Sequence, residues 1–151
     1  MGLLKRFWRR LAGRWLGTVI TVNGTSMRPT FSEGDRAIIE PGRYRTGQPQ
    51  RFDVVVVRTP DVDREDIKRI IGLPGELIEI RDGALWIDGL AIEEPHILDT
   101  MPPDWLHAWG TRADEYVVLG DNRAAPGITD SRRYGPLSRN AIVGPVTRHV
   151  V

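Results

Sequence analysis

Glycine and proline interrupt this chain so often that beyond its first turns no stretch is left for a long helix. Sixteen glycines and eleven prolines are spread over 151 residues. Glycine reaches backbone angles that turns require, and proline removes a donor and breaks helices, so both favour many short strands. The runs between the breaks are rich in β-branched residues. Gly17–Val22, Arg36–Glu40, Phe52–Arg58, Ile67–Ile71, Tyr116–Leu119 and Ala141–Val146 are predicted strands. Val54-Val55-Val56-Val57 is apolar at every position, the pattern of a strand covered on both faces. Leu77–Arg81 and Ala84–Asp88 flank Asp82-Gly83, a tight hairpin signal. Residues 90–115 read differently: Pro95, Pro102 and Pro103 punctuate them, with Trp105 and Trp109 as anchors. They are expected to leave the sheet as an irregular excursion with a helical turn or two. The domain at 17–151 is therefore expected to be mainly β and antiparallel.

Composition excludes several chemistries. There is no cysteine, hence no disulfide and no thiolate metal site. His96, His107 and His149 are scattered, without the spacing of a metal site or a Ser/His/Asp hydrolase. No Walker-type phosphate loop is present, and the reading calls for no metal and no cofactor.

Three stretches carry candidate chemistry. Gly24-Thr25-Ser26-Met27-Arg28-Pro29-Thr30 presents a serine on a constrained loop. Ile67-Lys68-Arg69-Ile70-Ile71-Gly72-Leu73-Pro74-Gly75-Glu76 presents a lysine on an apolar strand. Gly120-Asp121-Asn122-Arg123 and Asp130-Ser131-Arg132 supply acids and arginines. A serine hydroxyl is a poor nucleophile unless a base takes its proton. Lysine is such a base only when neutral, and its ordinary pKa of about 10.4 must fall by burial. Each unit of that fall costs folding about 1.4 kcal/mol, so an inward lysine is retained where it is used. Strand alternation puts Lys68 and Ile70 on one side and turns Arg69 away. Taken singly, such a lysine is usually solvent-facing and such a serine a turn residue. Their joint occurrence is what points to a nucleophile and its base.

In order and spacing, the three stretches resemble the type I signal peptidases, from about residue 17 to 146. That family carries its serine in Ser-Met-x-Pro-Thr, matched by Ser26, Met27, Pro29 and Thr30, and its lysine in Lys-Arg-x-x-Gly-x-Pro-Gly-Asp. Lys68, Arg69, Gly72, Pro74 and Gly75 match the second motif, with Glu76 where the family has Asp. The resemblance implies a coiled, barrel-like β-fold with the active site on an exposed sheet surface. It implies that Ser26 attacks the scissile carbonyl and that neutral Lys68 accepts its proton. Some relatives carry an oxyanion-binding serine where Gly24 stands, so the backbone amides at Gly24 and Ser26 are expected as donors here. Asp130 and Arg132 are expected as a structural ion pair near the dyad, extended by Arg69, with Asp121 and Asn122 beside them. The loop at 124–129 places Ile128 where relatives often have a lysine-orienting serine. The implied partner is an extended precursor peptide with small residues before the cut, and Val22, Met27, Phe31 and Ile67 are the candidate pocket walls.

Two other readings share these residues. A maturation peptidase of the same family would process one non-secretory precursor, such as a metalloenzyme pro-form, in the cytoplasm. A non-catalytic β binding module would need neither Ser26 nor Lys68, yet both are present.

Net charge is only +1, but Lys5, Arg6, Arg9, Arg10, Arg14 and Arg28 all precede the first acid, Glu33. Leu4, Phe7, Trp8, Leu11 and Trp15 recur at helical spacing among them. Residues 1–16 thus read as a short basic amphipathic helix, too polar to span a bilayer and suited to lying in its interface. No aromatic-interleaved RNA motif accompanies the charge, so an anionic membrane surface is the expected partner and nucleic acid is not. The leader-peptidase reading places the enzyme peripherally on the membrane with its active site extracytoplasmic. Vesicles containing anionic lipid are expected to co-sediment the chain, and neutral vesicles far less. Equal recovery in both supernatants would overturn the interfacial helix.

Overall fold

The structure, a computed structural model, describes residues 17–60, 63–127 and 129–150, so the expected helix at 1–16 lies outside the described residues. Eleven strands form two antiparallel sheets among these residues. The larger comprises β1 (Thr18–Thr21), β2 (Arg36–Ile39), β3 (Val54–Arg58), β4 (Glu65–Gly72), β9 (Glu115–Leu119), β10 (Leu137–Ser138) and β11 (Ile142–Val150), in the order β1-β2-β11-β3-β4-β9-β10. The smaller comprises β5 (Leu77–Arg81), β6 (Ala84–Ile87), β7 (Leu90–Ile92) and β8 (His107–Gly110), in the order β7-β6-β5-β8. A one-turn helix, α1 (Ser131–Tyr134), precedes β10. The long β11 pairs with β3 and then with β2, and its register shifts in both ladders. Such bulges bend a strand and curl the sheet, giving the expected barrel-like shell.

The valine run is buried from both sides. Val56, with Val54, packs in a cluster with Ile20, Val22, Met27, Phe31, Ala37, Ile39 and Ile67. Val55 and Val57 pack on the other face with Ile70, Val118, Leu137 and Ile142. A third cluster joins the sheets through Ile71, Ile78, Leu85, Val117 and Leu119. Gly72 stands at that junction, where a Cβ would fall 2.5 Å from Ile78 Cγ1. Only a residue without a side chain lets β4 leave the first sheet so close to β5.

The excursion is corrected by the structure. Residues 90–115 hold β7 and β8, which complete the second sheet, and no helical turn is found among them. Trp105 and Trp109 pack against the cluster between the sheets. The hairpin prediction around Asp82-Gly83 is matched by β5 and β6, with both turn residues at positive φ. α1 and β10, absent from the sequence reading, are too short to leave a periodic signal.

Gly144 tests the packing. A Cβ there would lie 2.7 Å from Glu40 O and 2.8 Å from Pro41 Cα, both backbone atoms that cannot rotate away. Gly144→Ala should cost about 1–3 kcal/mol. Gly110→Ala, which meets nothing within 4 Å, should stay within about 0.5 kcal/mol of wild type. Denaturant midpoints of the two variants check the contrast.

Candidate active site

Ser26 lies on the loop that follows β1. Two backbone bonds fasten the loop's base, Val22 N to Asp35 O at 2.8 Å and Gly34 N to Val22 O at 2.9 Å. Gly24 turns it at φ +86°, and Phe31 N donates to Met27 O at 2.9 Å on the far side. A second loop, following β9, presses on it. Gly120 comes so near that a Cβ would sit 2.6 Å from Ser26 O. Asn122 N donates to that same oxygen at 2.9 Å, and Asn122 Nδ2 donates to Thr25 O at 3.2 Å. Ser26 is held from both sides.

Lys68 enters from β4, opposite Val55 on β3. Its Nζ lies 3.0 Å from Ser26 Oγ, and the residue is 2% exposed. Burial pushes its pKa below that of ordinary lysine; Asp66 and Asp130 oppose the fall, while Arg64 and Arg132 add to it. Asp66 Oδ2 is 3.9 Å from Nζ, which is beyond hydrogen-bond distance but within range of its charge.

The acids and arginines brace this pair. Arg69 takes the other face of β4 and donates to Asp121 at 2.8 and 2.7 Å and to Phe52 O at 2.8 Å. Thr30 donates to the same carboxylate. The expectation that Arg69 extends the Asp130–Arg132 pair is therefore corrected: alternation turns it toward Asp121 instead. Asp130 and Arg132 do pair, at 2.7 Å. Asp130 also caps α1 through Arg132 N and accepts from Gly120 N at 3.0 Å. Burial would raise the Asp130 pKa, but the Arg132 guanidinium and the two amides hold it below the usual carboxylate value. Arg132 returns a bond to Arg123 O at 2.7 Å.

A cleft of about 640 Å³ runs past the dyad. Val22, Met27 and Ile67 line it, as do Gly24, Asn122 and Asp130. Phe31 does not; it lies in the core cluster behind Met27 and Val22. Ile128 is outside the described residues, so the group expected to stand for the lysine-orienting serine is not placed. Four further side chains, Asp66, Arg123, Glu94 and Glu76, take part through contacts that the sequence does not announce. Asp66 stands two residues before Lys68, which strand alternation alone puts on the same face. Arg123 is 1% exposed and forms a two-fold ion pair with Glu94, which carries His96 beside it. Glu94 comes from the excursion, so no local pattern joins it to the site. Glu76 bonds Arg51 twice and accepts from Leu73 N at 2.7 Å, closing the turn between the sheets with the longer acid.

Comparison with known proteins points to one family. The profile of the family described as signal peptidase, peptidase S26, matches residues 12–150. A signal peptidase I from Leptolyngbya laminosa is 37% identical over 79% of this chain, which spans 61% of that relative's length. Signal peptidase I V from Bacillus subtilis is 34% identical, over 83% of this chain and 81% of the relative. The crystal structure of a signal peptidase I from Enterococcus faecalis superposes with a TM-score of 0.57 at 30% identity, covering 66% of this chain and 97% of that one.

The Arg69–Asp121 pair supplies a stability test, because its side chains are only 10% and 0% exposed. Asp121→Ala leaves the guanidinium charge buried without its counter-ion, so unfolding should require about 3–5 kcal/mol less. Arg58, 61% exposed and 3.9 Å from Glu65, should change the unfolding free energy by less than about 1 kcal/mol when replaced by Ala. Equilibrium denaturation measures both.

Proposed function

The chain belongs to the signal peptidase, peptidase S26, family, and from that premise we propose that it removes leader peptides from exported precursors through an acyl-enzyme on Ser26. The observation that carries the reading is Lys68 Nζ at 3.0 Å from Ser26 Oγ, with the lysine almost fully buried. Dry surroundings disfavour an ammonium, and a neutral amine at that distance accepts the hydroxyl proton.

Ser26 Oγ attacks the scissile carbonyl as Lys68 takes its proton. The amides of Gly24 and Ser26 receive the developing oxyanion, a role for which each such donor is worth about 3–4 kcal/mol. As the tetrahedral intermediate collapses, the Lys68 ammonium gives its proton to the departing amine and an ester remains on Ser26. A water then enters, Lys68 takes one of its protons, and the hydroxide attacks the ester. The carboxylic product leaves, and Oγ recovers the proton.

The peptide binds extended beside β4. Residues Glu65–Lys68 of that strand pair with β3 alone, since the ladder to β9 starts at Arg69. Their other edge faces the cleft, and an added strand gains register there through main-chain bonds. Val22, Met27 and Ile67 then wall shallow pockets suited to small side chains before the cut. No helix among the described residues is long and apolar enough to cross a membrane. In this reading the basic segment at 1–16 holds the enzyme peripherally at the outer membrane face, where leaders emerge.

A leader peptide with small residues before its cut should be cleaved by the wild type. Ser26→Ala and Lys68→Ala should each lower kcat/KM by at least about a thousandfold. The reactive form is the amine, so the rate should rise with pH through the lysine's folded pKa, on a limb below the ordinary lysine value. Survival of activity in either variant, or a flat profile, would sink the mechanism.

A further inference from the structure

β4 carries Arg64 at its threshold, then Asp66 and Lys68 on one face, so three charges line the cleft in a row. Arg64 NH2 donates to Asp66 Oδ2 at 2.9 Å, and the same oxygen lies 3.9 Å from Lys68 Nζ. The Asp66 side chain is 16% exposed, enough burial for its charge to reach Nζ with little screening. Resting on the dyad reading, we propose that Asp66 is a positioning residue, which steers the Lys68 side chain onto Ser26 and, through a charge shared with Arg64, sets the pH range of cleavage.

The other charges around Nζ leave this role to Asp66. Asp130 and Arg132 face Lys68 from the loop after β9 and from α1. The two Asp130 oxygens are occupied by three Arg132 donors and by Gly120 N, so that carboxylate is fixed and largely spent. Glu65 and Glu33 line the cleft as well, but alternation puts Glu65 on the other face of the strand, 3.9 Å from Arg58. Among the described residues Asp66 has one cation partner besides Lys68, and it shares a strand with the lysine at the fixed two-residue repeat. At 3.9 Å the carboxylate is beyond hydrogen-bond distance of Nζ but within range of its charge, so its influence on the amine is electrostatic.

The signs separate this role from a scaffold role. An anion beside Nζ favours the ammonium and a cation disfavours it. Asp66→Asn should therefore move the ascending limb of kcat/KM against pH to lower pH, by about half a unit or more. The plateau above the limb should fall several-fold, as the amine loses the charge that directs it. Arg64→Gln should move the limb the other way. A residue that only supports the fold would lower activity without moving the limb, so opposite displacements from neighbouring substitutions are the signature.

The experiment is the pH dependence of leader-peptide cleavage by wild type, Asp66→Asn and Arg64→Gln, with folding followed by circular dichroism. Ser26→Ala and Lys68→Ala are run alongside. If those two stay active, the peptidase mechanism is lost; if they are inactive and the folded Asp66→Asn limb superimposes on wild type or moves upward, only the Asp66 role is overturned. Should Asp66→Asn not fold, Arg64→Gln decides: an upward limb supports the proposal, and an unmoved limb refutes it.

Discussion

The whole molecule is arranged around one amine that has been taken out of water. A lysine 2% exposed is costly in any fold, because an ammonium is far better solvated outside. β4 can bear that cost because six of its eight residues are buried and the valine run of β3 pairs with it at Lys68. Ile67 anchors one face of β4 and Ile70 the other, which leaves Lys68 no freedom to swing to solvent without pulling a hydrophobic residue out of each core cluster.

Burying the amine is only half of the geometry, since the Ser26 hydroxyl is carried to it on a loop. Loops are mobile unless tied, and this one is tied by atoms that other residues cannot supply. Gly120 permits a backbone approach that any side chain would block, and Asn122 secures the serine carbonyl and its neighbour. The loop that does this is itself fixed by three carboxylate–guanidinium pairs: Asp121 to Arg69, Asp130 to Arg132, and Glu94 to Arg123. Each pair reaches a different part of the chain, so the serine loop inherits its rigidity from β4, α1 and the second sheet together. Buried pairs of this kind add little net stability. Their value here is that each side chain has one acceptable position.

The strands and the dyad were readable because they follow local rules. A period of two, β-branched residues and Gly-Pro punctuation announce β2, β3, β4, β5 and β6, and three short motifs in a fixed order announce Ser26 and Lys68. What escaped were relations with no local trace. The strands of the excursion are three and four residues long and lie among prolines, so their pairing is decided by the partner edges of β5 and β6. The motifs alone point Arg69 toward Asp130, whereas its position on the far face of β4 dictates Asp121. Glu94 and Arg123 are 29 residues apart in sequence and meet only when the second sheet closes over the loop.

Alternation along β4 explains why one strand serves three purposes at once. Arg69, on one face, locks the serine loop through Asp121 and Thr30. Asp66 and Lys68, on the other, form the charged wall of the cleft. The backbone edge between them, unpaired before Arg69, is free for a peptide. A slip of one residue in the β3–β4 register would exchange the faces, sending Ile67 and Ile70 into each other's core clusters and removing Lys68 from Ser26 in the same movement. The register that pairs Val55 with Lys68 and Val56 with Ile67 therefore keeps Lys68 at Ser26 by the same contacts that stabilise the sheet. Fold and chemistry here have a single register in common, and neither can be altered along this strand without the other.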